Sequence, residues 1–161
     1  MSHSYISTHI HIVFATKNRN PCLSLEIRNR LWQYLGGLCK ERNIEPISIG
    51  GYIDHCHALI SLPSTTSVAM AVKYLKGASS RWLSETFPEL MDFSWQKGYG
   101  AFSVSVSGIE RTIQYINNQE QHHQRQSFEN EYIEFLNLHH LAFDEDSLWA
   151  EQNTSEGQND I

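Results

Sequence analysis

Two His-x-His pairs and one Tyr-x-x-x-Gln spacing are the parts of this sequence best equipped for chemistry: His9-Ile10-His11, His55-Cys56-His57, and Tyr115 four residues before Gln119. In a β-strand, residues i and i+2 point to the same face, so two imidazoles spaced this way can chelate one metal ion. Most such pairs are packing or surface pairs, and the motif decides little by itself. The second pair has the better context, entering a strand just after Gly50, Gly51 and Asp54. The first sits inside a strand that must also pack. Tyr115 lies about 100° around a helix from the stripe Ile109, Ile113 and Ile116. It shares its own face with Thr112, Gln119 and His122. A helical tyrosine is ordinarily a core or boundary residue, and taken alone this one reads as a surface tyrosine beside an amide.

The elements that must position these groups follow from periodicity. Residues 5–16 alternate and are β-branched, which predicts a strand with Ile6, Thr8, Ile10, Ile12 and Phe14 on one face and His9, His11 and Val13 on the other. Asn20-Pro21 predicts a helix start, with Ile27, Leu31, Tyr34, Leu35 and Leu38 as its apolar stripe. Residues 46–53 and 56–62 read as two strands of a hairpin. Ser67 to about Phe87 reads as a second helix, and residues 93–106 as a loop entering a fourth strand. Ser107-Gly108-Ile109-Glu110 has the capping-box pattern and predicts a helix to about His122. A last helix starts at Ser127, with Phe128, Tyr132, Phe135 and Leu136 on one face. The β-α-β-β-α-β order predicts an α+β fold: a ferredoxin-like (RRM-like) antiparallel sheet with helices on one face, plus a C-terminal helix. That plan serves many functions and decides none.

Composition sets the bounds. The 161 residues fit one domain, and 40% hydrophobic content supports a core. We expect a single domain over 1–143 and an acidic, flexible tail over 144–161. No run approaches 18 apolar residues, and the first residues lack signal-peptide character. The three cysteines suit neither a disulfide framework nor a Cys-x-x-Cys zinc site, so a reducing, cytoplasmic setting without a membrane is expected. The net charge of −6 comes from the last 21 residues, which hold six acids and no Lys or Arg; the rest of the chain is balanced. A neutral body does not announce a nucleic-acid binder, but permits a local basic groove.

The His pair followed by the Tyr-x-x-x-Gln helix resembles the single-tyrosine HUH transposases of the insertion-sequence 200/605 group. HIVFATKNR at 11–19, GGYIDHCHALISL at 50–62, LKGASSRW at 75–82, FSWQKGYGAFSVS at 93–105, YINNQEQHH at 115–123 and FENEYIEFL at 128–136 carry the likeness in the group's order. Cys56 stands where a bulkier apolar residue is common. The resemblance implies that His55, His57 and Gln119 hold one divalent cation per site, Mg²⁺ or Mn²⁺. Two imidazoles suit Mn²⁺ at least as well as Mg²⁺. It implies that Tyr115 is the nucleophile, forming a 5′-phosphotyrosine on single-stranded DNA at hairpin-bearing element ends. It also implies a homodimer, in which the catalytic helix of one chain can dock on the His pair of the other. Lys17, Arg19, Lys73, Lys76, Arg81, Lys97 and Arg111 are candidate DNA-backbone contacts, each equally readable as a solvated charge. Trp82, Trp95, Tyr99 and Phe102 could stack on bases, although core packing is the commoner role. His9 and His11 are expected near the site but not as ligands. His122 and His123 suit a helix C-terminus.

Three other readings compete with a metal-dependent nicking and joining transposase. One is a binding module holding single strands on its sheet, which leaves Tyr115 and Gln119 unexplained. Another is a domesticated relative that processes chromosomal repeat hairpins. A structural zinc protein fits poorly, because no thiolates accompany the His pairs.

Overall fold

The computed structural model describes residues 3–149. A four-stranded antiparallel sheet has the order β2-β3-β1-β4, with β1 His9–Ala15, β2 Glu45–Tyr52, β3 His55–Ser61 and β4 Gly100–Ser103. This is the ferredoxin-like α+β plan. β2 and β3 form the predicted hairpin, joined through Ile53 and Asp54. Among the described residues no helix is long and apolar enough to cross a membrane.

The pleat of β1 and β3 separates two layers. Ile12, Phe14, Cys56, Ala58 and Ile60 face one side and are covered by α1 (Leu25–Glu41) and α2 (Val68–Thr86) through Leu31, Leu35, Val72 and Leu75. Val13 and Ala15 face the other side with Phe102, Phe128 and Leu136. His11, His55 and His57 share that second face by the period of two, and all three are buried. It is covered by α3 (Ile109–Asn117), α4 (Gln119–His123) and α5 (Phe128–Leu138). Helices therefore lie on both faces, and the C-terminal ones cover the histidines.

Local chemistry accounts for the boundaries. Ser67 and Ser127 cap α2 and α5, accepting from the amides of Met70 and Asn130 at 3.1 and 3.2 Å. α1 begins four residues later than Asn20-Pro21 suggests. Residues 17–19 form a 3₁₀ turn with positive φ at Asn18 and Arg19, and Ser24 becomes the cap. The capping box at Ser107 does not form. A 3₁₀ turn over Val106–Gly108 runs straight into α3 and meets the first amides with backbone carbonyls. The helix expected to reach His122 breaks at Asn118 (φ −102, ψ 18), which separates α3 from α4.

The predicted tail starts inside a packed segment. Asp144 caps α6 (Glu145–Leu148), accepting from the amide of Asp146 at 3.0 Å. The Trp149 ring lies 5.8 Å from Tyr132 and 6.2 Å from Phe128. The first residues of the expected tail, 144–149, are thus packed against α5; residues 150–161 lie outside the described ones.

Candidate active site

Two glycines bring the site together. A Cβ on Gly50 would lie 2.9 Å from Ile116 Cγ2 and 3.0 Å from its carbonyl oxygen, so β2 lets α3 approach only because it is bare there. Gly51 has φ +152, and a Cβ there would be 2.2 Å from the His55 carbonyl oxygen. The hairpin that delivers His55 and His57 requires Gly51, and the seating of α3 on β2 requires Gly50.

His55 and His57 are fully buried. His55 Nδ1–H donates to Asp54 Oδ1 at 2.7 Å, and its Nε2 faces Gln119 Oε1 at 2.9 Å and Glu131 Oε1 at 3.6 Å. The Gln119 amide nitrogen donates to the Tyr115 carbonyl, which points its oxygen at the ring. A neutral His55 with its hydrogen on Nδ1 therefore presents a lone pair to oxygen lone pairs. A second ring proton or a cation among these atoms balances that arrangement. His57 Nε2 lies 2.9 Å from Glu131 Oε1, and its Nδ1 lies 2.8 Å from His11 Nε2. Burial, with the neighbouring imidazole of His57, holds His11 well below the usual histidine range. Burial also lowers His57, against the pull of Glu131.

The Tyr115 hydroxyl donates to Glu131 Oε2 and lies 3.4 Å from His122 Nε2. Burial pushes its phenol upward, and the charge and hydrogen bond of Glu131 add to that. Glu131 shows the opposite balance. Burial raises it, but hydrogen bonds from His123 and His57, and the charges of His57 and His55, hold it well below the usual carboxylate range.

Among the described residues, His55, His57, His123 and Glu131 form a group whose ligand atoms all lie within 4.8 Å of one another. The fit to a divalent cation is good. Two buried imidazoles and a carboxylate converge, an amide oxygen joins them at His55, and the far nitrogens of both rings are held from behind. Sequence reasoning singled out His55, His57, Gln119 and Tyr115, and the structure brings all four together. It missed Glu131, although a signal existed. At helical spacing Glu131 falls between Phe128 and Phe135 on the apolar face of α5, where an acid needs buried partners.

The basic candidates divide. Lys76 is buried, and its ammonium donates to the carbonyls of Gln96 and Gly98 at 2.8 and 2.9 Å; burial lowers it to about 8. It holds the 96–98 loop and is not a surface contact. Arg19 pairs with Glu129 at 2.7 Å, donates to Gln96, and sits 5.0 Å over Trp149. Lys73 and Arg81 are exposed on α2, across the sheet from the histidines, whereas Lys17, Lys97 and Arg111 are exposed elsewhere. Trp95 donates to Ser79 and Phe102 is buried, so these two are core residues, whereas Trp82 stacks on Tyr34 and packs half-buried against the core. Tyr99 lines a cleft of about 360 Å³ together with Lys97, Phe128, Tyr132 and Trp149.

The profile of the family described as "Transposase IS200 like" matches residues 4–119. The chain belongs to this family. It is 33% identical over 105 residues to the transposase for insertion sequence element IS200 of Salmonella typhimurium, spanning 62% of this chain and 68% of that one. It is 27% identical over 114 residues to the ISDra2 transposase TnpA of Deinococcus radiodurans, spanning 68% and 81%. A crystal structure from Deinococcus radiodurans, provisionally described as a transposase, superposes with a TM-score of 0.59 at 26% identity over 74% of this chain and 96% of that one. A REP-associated tyrosine transposase bound to a REP hairpin shares the fold, with a TM-score of 0.57 at 15% identity over 76% and 73%. This IS200-like transposase is thus a DNA-processing enzyme. Its family match ends at Gln119, and His122, His123 and Glu131 come after it.

Proposed function

We propose that this transposase nicks and rejoins single-stranded DNA at hairpin-bearing ends of an insertion sequence, with Tyr115 as nucleophile and one divalent cation per site. The observation that carries the reading is the Tyr115 hydroxyl, which donates to Glu131, the carboxylate whose other oxygen meets the buried His57 imidazole of the sheet. The phenolic oxygen attacks phosphorus, the phosphorus–O3′ bond breaks, and the strand leaves with a free 3′-OH while its other end stays on Tyr115. The phosphodiester bond is conserved in that link, so a later 3′-OH can reseal it without ATP. His55, His57 and Gln119 would hold the cation, Mg²⁺ or Mn²⁺. When bound, it supplies Lewis-acid polarisation of the scissile phosphate and a template for it. The chain itself positions the phenol and keeps bulk water from the buried imidazoles. It also offers the Tyr99, Phe128, Tyr132 and Trp149 cleft to unpaired bases, next to Phe128, which stacks on His55. We further propose that it acts in the cytoplasm as a homodimer.

A second reading, the processing of chromosomal repeat hairpins by a domesticated relative, uses the same chemistry. It is favoured by the fold shared with a transposase solved on a REP hairpin.

A covalent-adduct gel tests the central claim. Labelled single-stranded DNA carrying the element ends is mixed with protein and Mn²⁺ or Mg²⁺, then denatured beside Tyr115→Phe. A metal-dependent shifted band is expected from the wild type and none from the variant. Absence of a band from folded, DNA-binding wild type overturns the nucleophile and leaves a binding module.

A further inference from the structure

We propose that Glu131 is a ligand of the divalent cation and that His123 joins it, so that α5 and α4 close the centre with a carboxylate and a third imidazole. The inference rests on the reading that His55 and His57 hold such an ion. It adds two ligands to that set, both from residues past the family match.

Glu131 is 1% exposed within the apolar face of its helix. A carboxylate in such a layer is costly without charged or hydrogen-bonding partners on both oxygens. Its partners are the groups of the site. Oε1 lies 2.9 Å from His57 Nε2 and 3.6 Å from His55 Nε2. Oε2 lies 3.0 Å from His123 Nε2 and 3.1 Å from His122 Nε2, and accepts from Tyr115.

The spacing is that of ligands around one ion. Metal–ligand bonds of about 2.1 Å at right angles place neighbouring donors about 3.0 Å apart. The observed neighbours are 2.9 Å for His55 Nε2 with Gln119 Oε1 and 2.9 Å for His57 Nε2 with Glu131 Oε1, while His123 Nε2 lies 3.0 Å from the other carboxylate oxygen, Oε2, and belongs to the group whose ligand atoms fall within 4.8 Å of one another. The third imidazole is oriented like the first two. His123 Nδ1–H donates to the Gln126 carbonyl at 2.8 Å, as His55 Nδ1–H does to Asp54, which leaves Nε2 aimed inward. His122 reaches the same Oε2, at 3.1 Å, from the more open side next to Tyr115, where it is 31% exposed. Three imidazoles and one carboxylate favour Mn²⁺ over Mg²⁺, which prefers oxygen and water. With Oε1 on the ion side and Oε2 on Tyr115, one carboxylate sets the position of the phenol relative to the metal.

The test is Mn²⁺ binding by full-length protein without DNA, followed by calorimetry and by electron spin-echo spectroscopy of the bound ion. Glu131→Gln is expected to weaken binding 10- to 100-fold. His123→Asn is expected to remove one ¹⁴N coupling, and His57→Ala to abolish binding. If His57→Ala abolishes binding while Glu131→Gln and His123→Asn match the wild type in affinity and spectrum, the two added ligands are overturned and the His pair stands. If His57→Ala binds like the wild type, the underlying reading itself fails. Circular dichroism verifies each fold. Should Glu131→Gln not fold, Glu131→Asp decides: weakened affinity supports the ligand, and unchanged affinity with an unchanged spectrum overturns it.

Discussion

At the scale of single residues, buried charge is the organising fact of this transposase, and it is used in two ways. Glu131 is surrounded by imidazoles and a phenol and belongs to the site. Lys76 is surrounded by carbonyls and belongs to the scaffold. Lys76 gives a pH prediction whose sign is fixed by its lowered value of about 8. Unfolded lysine titrates at about 10.4, so between those values the unfolded chain binds more protons, and the Lys76 contribution to stability rises with pH. Its slope cannot exceed about 1.4 kcal/mol per pH unit. Buried tyrosines and cysteines with raised values act in the opposite direction, so the informative quantity is a difference. Subtracting the Lys76→Met denaturation curve from that of the wild type, from pH 7.5 to 10.5, should leave a wild-type gain with rising pH. A flat difference would show that the ammonium is not paying for its burial.

At the scale of elements, the helices over the histidine face are set by close backbone approach. Gly50→Ala places a methyl against Ile116, the residue after Tyr115. The shift of α3 should slow adduct formation about tenfold or more, with a smaller effect on the melting temperature; unchanged kinetics would show that Tyr115 does not depend on this contact. Gly51→Ala meets the His55 carbonyl backbone in a positive-φ position and should cost on the order of 2–3 kcal/mol in chemical denaturation. The strands, the hairpin, α2 and α5 were legible because alternation, helical stripes and serine caps are local signals. The spacing of His55, His57, Tyr115 and Gln119 decided little by itself; the expectation that they meet came from the resemblance of several motifs in order, and the structure places them together. The late start of α1 and the missing capping box were not legible, since 3₁₀ turns supplied backbone partners that the side-chain pattern does not reveal. Glu131 was missed for a different reason. Its meaning lies in partners 74 and 16 residues away, His57 and Tyr115, that only the fold brings to it.

At the scale of the whole molecule, one chain can bring the groups of the site together by itself. Tyr115 lies with its ring 5.7 Å from that of His57, and α5 of the same chain joins them. Resemblance to the group allows instead a tyrosine helix docked on a partner. Mixing His57→Ala with Tyr115→Phe separates the two arrangements. Sites built within a chain should give no adduct from the mixture, whereas sites shared between chains would recover part of the wild-type band.

The order in which the site is written along the chain has a consequence during synthesis. When residues 1–119 have left the ribosome, the sheet, the His pair and the tyrosine have all been made, and the family match is complete. Glu131 is still twelve residues away. On the ligand assignment proposed for it, a truncated product of that length carries the family signature without the carboxylate that joins metal to nucleophile. On that assignment abandoned translation releases inert fragments, and the proposed strand cleavage arrives only with the last helices.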